Sequence, residues 1–167
     1  GKAIASDLAA KGARVVVNDL GGDGHGEGAD TRPATLAAEE IAAAGGTAVA
    51  DHGNVADSDA AAAMIRLALD TYGQLDIVVN VAGILRDAML TSMTDAQWDA
   101  IMAVHLRGHF AVTRAAALHW RAASKEAGRP VYGRVLHFTS EAGLYGNVGQ
   151  TNYSAAKGGI VSFGITA

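Results

Sequence analysis

Tyr153 and Lys157 stand four residues apart, and Ser140 lies thirteen residues before the tyrosine. A phenol, an ammonium and a hydroxyl brought together can move a proton off an alcohol, which is the acid–base half of a hydride transfer. The run of Ser, Ala, Lys, Gly and Ile from Asn152 onward predicts a helix, so residues 153 and 157 would share one face a turn apart. A fixed cation beside a phenol favours the phenolate, the form a general base needs. Ser140 would hold the substrate oxygen. A Tyr-x-x-x-Lys spacing arises by chance in many chains, so its setting matters. Here Arg134 to Thr139 reads as a buried strand, Ser140 comes at its end, and small residues follow with Gly143, Gly146 and Gly149. Catalytic groups of open α/β sheets gather at such strand ends.

The elements that must position these residues follow from apolar periodicity. Helices are predicted near Lys2 to Lys11, over Pro33 to Ala44, over Ser58 to Tyr72, through most of Asp95 to Ala127, and from Asn152 onward. Strands are predicted over Arg14 to Asn18, Thr47 to Asp51, Asp76 to Val79 and Arg134 to Thr139. Val-, Ile- and Leu-rich strands alternating with helices imply a parallel sheet covered on both faces, with right-handed crossovers. Thr94, with Gln97 three residues later, reads as a capping box that starts the long helix, and Gly128 with Pro130 marks its end. The glycines from Gly21 to Gly28 predict a flexible loop up to Asp30.

In the order and spacing of Ser140, Tyr153 and Lys157, set on this alternation, the chain resembles the short-chain dehydrogenase/reductase family. The resemblance implies a Rossmann-type, doubly wound α/β fold in three layers and a nicotinamide cofactor. It also implies that Gly1-Lys2-Ala3 is the tail of a Thr-Gly-x-x-x-Gly-x-Gly turn, which makes Gly1 a cofactor-binding residue. The chain is then expected to be one partial dinucleotide-binding catalytic domain, residues 1–167. A first strand, central in the sheet, and its glycine turn would precede Gly1; later strands and much of the substrate region would follow Ala167.

On the cofactor side, the glycines at 22, 24, 26 and 28 do not suit a phosphate loop, because Asp23 and Glu27 would repel a pyrophosphate and Pro33 delays the next helix. Asp19 ends a strand about twenty residues after the inferred turn, where a carboxylate can accept both adenosine-ribose hydroxyls and repel a 2′-phosphate. NAD is therefore expected over NADP. Asp51 and Asn54 could contact the adenine. Asn80-Val81-Ala82-Gly83 resembles the family's Asn-Asn-Ala-Gly turn with Val at its second position. The small residues Ala82 and Gly83 would let the main chain approach a cofactor ribose, whereas Asn80 could serve there or brace the sheet as a buried amide. Tyr153 and Lys157 would also border the nicotinamide and its ribose.

His105, in Val104-His105-Leu106-Arg107-Gly108, stands where most family members carry the Asn of a water relay to the lysine. Imidazole also donates and accepts, so it is expected to serve that relay. His105 and His109, four apart, could suggest a metal pair, but no cysteine and no evident third ligand accompany them, and no metal is expected. Together with Asn18 to Asp23, Gly83 to Asp87 and Tyr145 to Gln150, this histidine resembles the hydroxyacyl-CoA dehydrogenase portion of peroxisomal multifunctional β-oxidation enzymes and their bacterial relatives. In that reading Arg86 meets an acyl-CoA phosphate or is a solvated surface charge.

Composition narrows the classes further. The chain has 167 residues, half of them apolar, no cysteine and a formal charge of −4. That excludes a disulfide framework and a basic nucleic-acid face. No apolar stretch is long enough to span a bilayer. A cytoplasmic oxidoreductase, homodimeric or homotetrameric by the resemblance, acting with NAD on a secondary alcohol that could be a 3-hydroxyacyl-CoA, is the expectation. Its rivals are an NADPH-dependent reductase of 3-oxoacyl thioesters or other carbonyls, and a non-catalytic NAD(H)-binding protein. The apolar residues Trp98, Ile101, Met102, Phe110 and Phe163 are assigned to core packing.

Overall fold

The computed structural model describes residues 1–167. Elements alternate as the periodicity requires: α1 (Lys2–Ala10), β1 (Arg14–Asn18), α2 (Arg32–Ala43), β2 (Thr47–Asp51), α3 (Ser58–Tyr72), β3 (Ile77–Asn80), α4 (Asp95–Ile101), a π-helical segment (Met102–Arg107), α5 (Gly108–Ala127), β4 (Arg134–His137), α6 (Ala142–Tyr145) and α7 (Thr151–Thr166). Asp57 caps α3 by accepting from the Asp59 and Ala60 amides. Thr94 and Gln97 form the reciprocal capping box that opens α4. At the far end Gly128 takes φ +63°, a left-handed conformation that closes α5 at little steric cost.

The strands are parallel, but they form two pairs and not one continuous sheet. β1 pairs with β2 in the register Arg14↔Thr47 to Asn18↔Asp51, and β3 pairs with β4 from Ile77↔Arg134 to Asn80↔His137. No ladder joins the pairs. They are held together by helices: Ala61 and Ile65 of α3, Val78 of β3, and Ala111, Val112 and Ala116 of α5 form one buried cluster. Tyr72 Oη at the end of α3 donates to Val15 O of β1, and Trp120 Nε1 of α5 donates to Leu75 O just before β3. Tight packing is set by small residues; a Cβ on Gly108 would fall 2.9 Å from Val55 Cγ2.

The expected covering of both sheet faces holds only in part. Side chains two apart along a strand share a face. Val78 and Asn80 are buried, whereas Ile77 and Leu136, on the other face, are 40% and 45% exposed. One face of the β3–β4 pair is therefore open. Of the aromatic and aliphatic residues assigned to the core, Ile101 is fully buried but Phe110 is 46% exposed. Phe110 instead lines a shallow groove of about 600 Å³ with Met102, Leu106 and Phe163, on the outer side of the π segment and α7.

Candidate active site

The first two turns of α7 present Tyr153, half-buried, and Lys157, 5% exposed. The Lys157 ammonium lies 5.6 Å from the Tyr153 ring centroid, so the one-turn spacing does place cation beside phenol. Nζ donates to Phe138 O at 2.6 Å. An ammonium has three donors, and that hydrogen bond uses one of them. Burial pulls the Lys157 pKa below the usual lysine value, because the charged form loses solvation. This carbonyl also ends the strand: Phe138 belongs to the apolar run that suggests strand to Thr139, but its oxygen serves the lysine and β4 closes at His137.

The loop after β4 is seated on α7 at two points. Thr139 Oγ1 donates to Lys157 O at 2.8 Å. Gly143 lies so close that a Cβ would fall 2.6 Å from Gly158 N and from the Lys157 carbonyl carbon. Ser140, half-buried at the head of this loop, accepts from the Ala142 amide through Oγ, which leaves its hydroxyl proton available for another acceptor.

His105 completes one wall. Its ring meets the Tyr153 ring edge-to-face with centroids 5.1 Å apart. Nε2 lies 2.8 Å from Ile84 O and 3.2 Å from Ile84 N. The shorter contact assigns the proton to Nε2, donating to the carbonyl. Nδ1 then carries a lone pair, buried without a partner. Burial, with the Lys157 charge adding to it, lowers the His105 pKa, while the Ile84 hydrogen bond opposes the shift. The imidazole is therefore neutral near pH 7. A Cβ on Gly83 would stand 2.6 Å from His105 Cε1, so this ring position requires glycine at 83. The π turn carries His105 toward Ile84, and such turns recur at functional sites.

His109, on α5, takes a different environment. Its ring stacks on His137 with centroids 5.3 Å apart, and Nε2 has no partner. Burial drives its pKa down to about 4, with the charges of His137, Lys157 and His105 adding to the shift and the His105 main chain opposing it. The two histidines read as a pair on one face thus serve different neighbours. Asn80, 8% exposed, donates from Nδ2 to Thr113 Oγ1 at 3.1 Å and stands 3.4 Å from His137 Nδ1. Its amide nitrogen braces β3 against α5 and β4.

At the end of β1, Asp19 is exposed and accepts only from the Gly21 amide, at 2.7 Å. Its second carboxylate oxygen is open. Ala82 and Gly83, just past β3, are also exposed. Asp51 is already used within the fold: Oδ2 accepts from Asn18 Nδ2 and from Gly53 N. Asn54 is exposed, accepts from Ala56 N, and lines an open polar cavity of about 390 Å³ with Asp57, Asp59 and Arg107. Gly1 precedes α1 and its carbonyl accepts from Ala5 N. An exposed carboxylate at one strand end, side-chain-poor backbone at another and an ammonium with two unused donors form a donor and acceptor set that fits a nicotinamide dinucleotide.

Two features differ from the sequence reading. The glycine-rich segment is tied down: Asp23 Oδ1 accepts from the His25 and Glu27 amides, Leu85 N donates to Gly24 O, and His25 Nδ1 lies 3.1 Å from Leu85 O. Arg86 is not a solvated charge. Its Nη2 donates to Glu27 Oε1 at 2.5 Å, its side chain is 26% exposed, and Nε is buried without a partner. The pairing spans 59 residues, so no local pattern announces it. Sequence pattern gives Thr139 and Asn152 only as element bounds and Gly143 only as a small residue after the strand; their contacts with α7, Arg86 and Gln97 arise in the fold alone.

Known proteins share this sequence pattern and fold. The model of the short chain dehydrogenase family matches residues 1–166. The chain is 47% identical over 172 residues to the hydroxyacyl-CoA dehydrogenase ChsB1 of Mycobacterium tuberculosis, covering all of this chain and 51% of that protein. It is 47% identical over 161 residues to the peroxisomal multifunctional enzyme type 2 of Mus musculus, covering 96% of this chain and 20% of that enzyme. A crystal structure of a short chain dehydrogenase from Mycobacterium avium superposes with a TM-score of 0.89 at 51% identity, over 98% of this chain and 56% of that one. The chain thus spans about half, or less, of the length of these relatives. With the family model matched from Gly1 to Thr166 and this fold shared at half identity, the chain belongs to the short chain dehydrogenase family.

Proposed function

We propose that this chain carries the catalytic half of an NAD-dependent oxidoreductase that interconverts a secondary alcohol and its ketone. The observation that carries the reading is the buried Lys157 ammonium beside the Tyr153 ring, with two donors unused and a neutral imidazole at the ring's edge. In the phenolate form, which the Lys157 charge favours, Tyr153 Oη takes the hydroxyl proton of the alcohol and becomes the neutral phenol, while Ser140 Oγ–H holds the same oxygen. The spare Lys157 donors hold a ribose hydroxyl of the cofactor. His105 is assigned to the proton relay on the lysine side, where its Nδ1 is free to accept a hydrogen bond. The bound dinucleotide supplies the hydride acceptor. Asp19 accepts from the adenosine ribose and its charge disfavours a 2′-phosphate, while Gly1, Asn54, Asn80, Ala82 and Gly83 border the cofactor. Asn80 acts there through the backbone it braces.

The substrate class follows by analogy. Two relatives are named for hydroxyacyl-CoA dehydrogenation or peroxisomal multifunctional activity, and a (3R)-hydroxyacyl-CoA is the substrate we infer. A cytoplasmic setting is kept beside the peroxisomal one of the mouse relative; no helix is long and apolar enough to cross a membrane. Two further features support reading residues 1–167 as part of a larger domain: the break between the β1–β2 and β3–β4 ladders, which one central parallel strand would fill, and the open Ile77 and Leu136 face, which later elements would cover. The exposed groove at Met102, Leu106, Phe110 and Phe163 supports a homodimer or homotetramer built on α4, α5 and α7.

The test is NADH formation by the complete reading frame with a short (3R)-hydroxyacyl-CoA, run beside NADP. Turnover with NAD that greatly exceeds that with NADP supports the reading. Preference for NADP with a 3-oxoacyl thioester selects the carbonyl-reductase reading instead, and NAD binding without turnover of any alcohol selects a non-catalytic binding protein.

A further inference from the structure

The position of Tyr153 is not fixed by a helix cap of the usual kind. Gln150, which precedes α7, makes no side-chain cap hydrogen bond. The first amides of a helix need acceptors, and an uncapped first turn frays. Asn152 does this work from inside the helix. Its Oδ1 accepts from Tyr153 N at 2.8 Å, and its Nδ2 donates to Arg86 O at 3.0 Å and to Gln97 O at 3.2 Å. The residue is completely buried. Both amide donors and one acceptor position are thus satisfied, by the tyrosine's own main chain, by the segment after β3, and by the first turn of α4.

Each of these partners lies on a segment that leads to the site. Arg86 follows Ile84, whose carbonyl orients His105, and its guanidinium grips Glu27 in the loop that follows Asp19. Gln97 belongs to the capping box that starts the helix leading to His105. A second tie runs alongside: Gln150 Nε2 donates to Asp87 Oδ2, and Ala88 N donates to Gly149 O. We infer that Asn152 is a positioning residue for the proton transfer, the side chain that fixes Tyr153 relative to His105 and to the Ile84–Arg86 segment. A general base works only at a defined distance from the proton it takes, and a displacement of about 1 Å can cost on the order of 100-fold in rate. The inference rests on the assignment of Tyr153 as base proposed above.

Two variants of the complete enzyme test it. Asn152→Ala leaves room for a water to satisfy the two abandoned carbonyls, and Asn152→Leu fills the space with no polar atom. Either variant is expected to lower kcat by about 100-fold, with KM for NAD and NAD binding within a few-fold of the parent, and to alter the pH profile of kcat. Amide exchange at Tyr153 should accelerate in both while α5 stays protected. A variant that folds, binds NAD and keeps kcat within a few-fold of the parent would overturn the inference. So would a loss of kcat accompanied by an equal loss of NAD binding and thermal stability, which would make Asn152 structural alone. If the parent turns over no alcohol, the catalytic reading fails, and unchanged Tyr153 exchange in the variants would then refute the positioning role by itself.

Discussion

The buried histidine His109 makes a quantitative demand on stability. Its imidazole is 2% exposed, and its pKa falls from the ordinary 6.5 to about 4 because burial removes the solvation that the protonated ring needs. A base whose folded pKa is depressed binds fewer protons folded than unfolded, so stability is fully present above about pH 6.5 and is lost as pH falls toward about 4. The whole interval corresponds to about 3 kcal/mol at 1.36 kcal/mol per unit. At about pH 5 the unfolded ring is almost all protonated and the folded ring about one-tenth, which amounts to about 2 kcal/mol, against about 0.2 kcal/mol at about pH 7. The groups facing His109 are His105, His137 and Lys157. Burial lowers the pKa of both other histidines as well, so they act with the same sign. Removing only His109 isolates its share. Urea unfolding of the full-length protein and of His109→Leu, each at about pH 7 and about pH 5, should show the parent losing about 2 kcal/mol more than the variant on acidification. Equal losses in the two proteins would refute the assignment of a buried, neutral His109.

Other expectations follow from single contacts. Gly83→Ala places a methyl 2.6 Å from His105 Cε1, so the ring must leave the Ile84 carbonyl; turnover should fall about 100-fold, and activity within a few-fold of the parent would show that His105 can stand elsewhere. Asp19→Asn removes the charge set against a 2′-phosphate, and the ratio of NAD to NADP efficiency should drop about tenfold, the effect of about 1.4 kcal/mol; an unchanged ratio would take Asp19 out of the ribose site. Thr94→Ala deletes one half of the capping box that starts α4, and chemical denaturation should register a loss of about 1 kcal/mol; no loss would mean that Gln97 and solvent cap the helix alone.

Much of this fold is legible in local pattern, and the exceptions have local causes. β1 and β2 run where the Val- and Ala-rich segments between polar residues place them. β3 begins one residue later than the pattern suggests: Asp76 contributes its carbonyl to Arg134 N, and the ladder then continues through Asn80. The π turn at Met102–Arg107 could not be read, since an apolar stripe looks alike in α and π geometry over so short a stretch. Arg86 looks like a surface charge because its partner, Glu27, stands in a loop 59 residues away. The same distance hides the tether of that loop to Leu85. In the site, Tyr153 and Lys157 were legible because one helical turn relates them. The Phe138 carbonyl that holds the ammonium and the Asn152 amide that fixes the first turn depend on chain segments that meet only in the fold.

Tyr153→Phe in the full-length protein, with turnover and NAD binding measured together, tests directly whether Tyr153 is the base. Phenylalanine keeps the ring against His105 and Lys157 and removes only the phenol oxygen that would take the proton. A loss of at least about 100-fold in NADH formation is expected, with NAD affinity nearly unchanged. Substantial turnover by the variant, with the cofactor bound as in the parent, would contradict it.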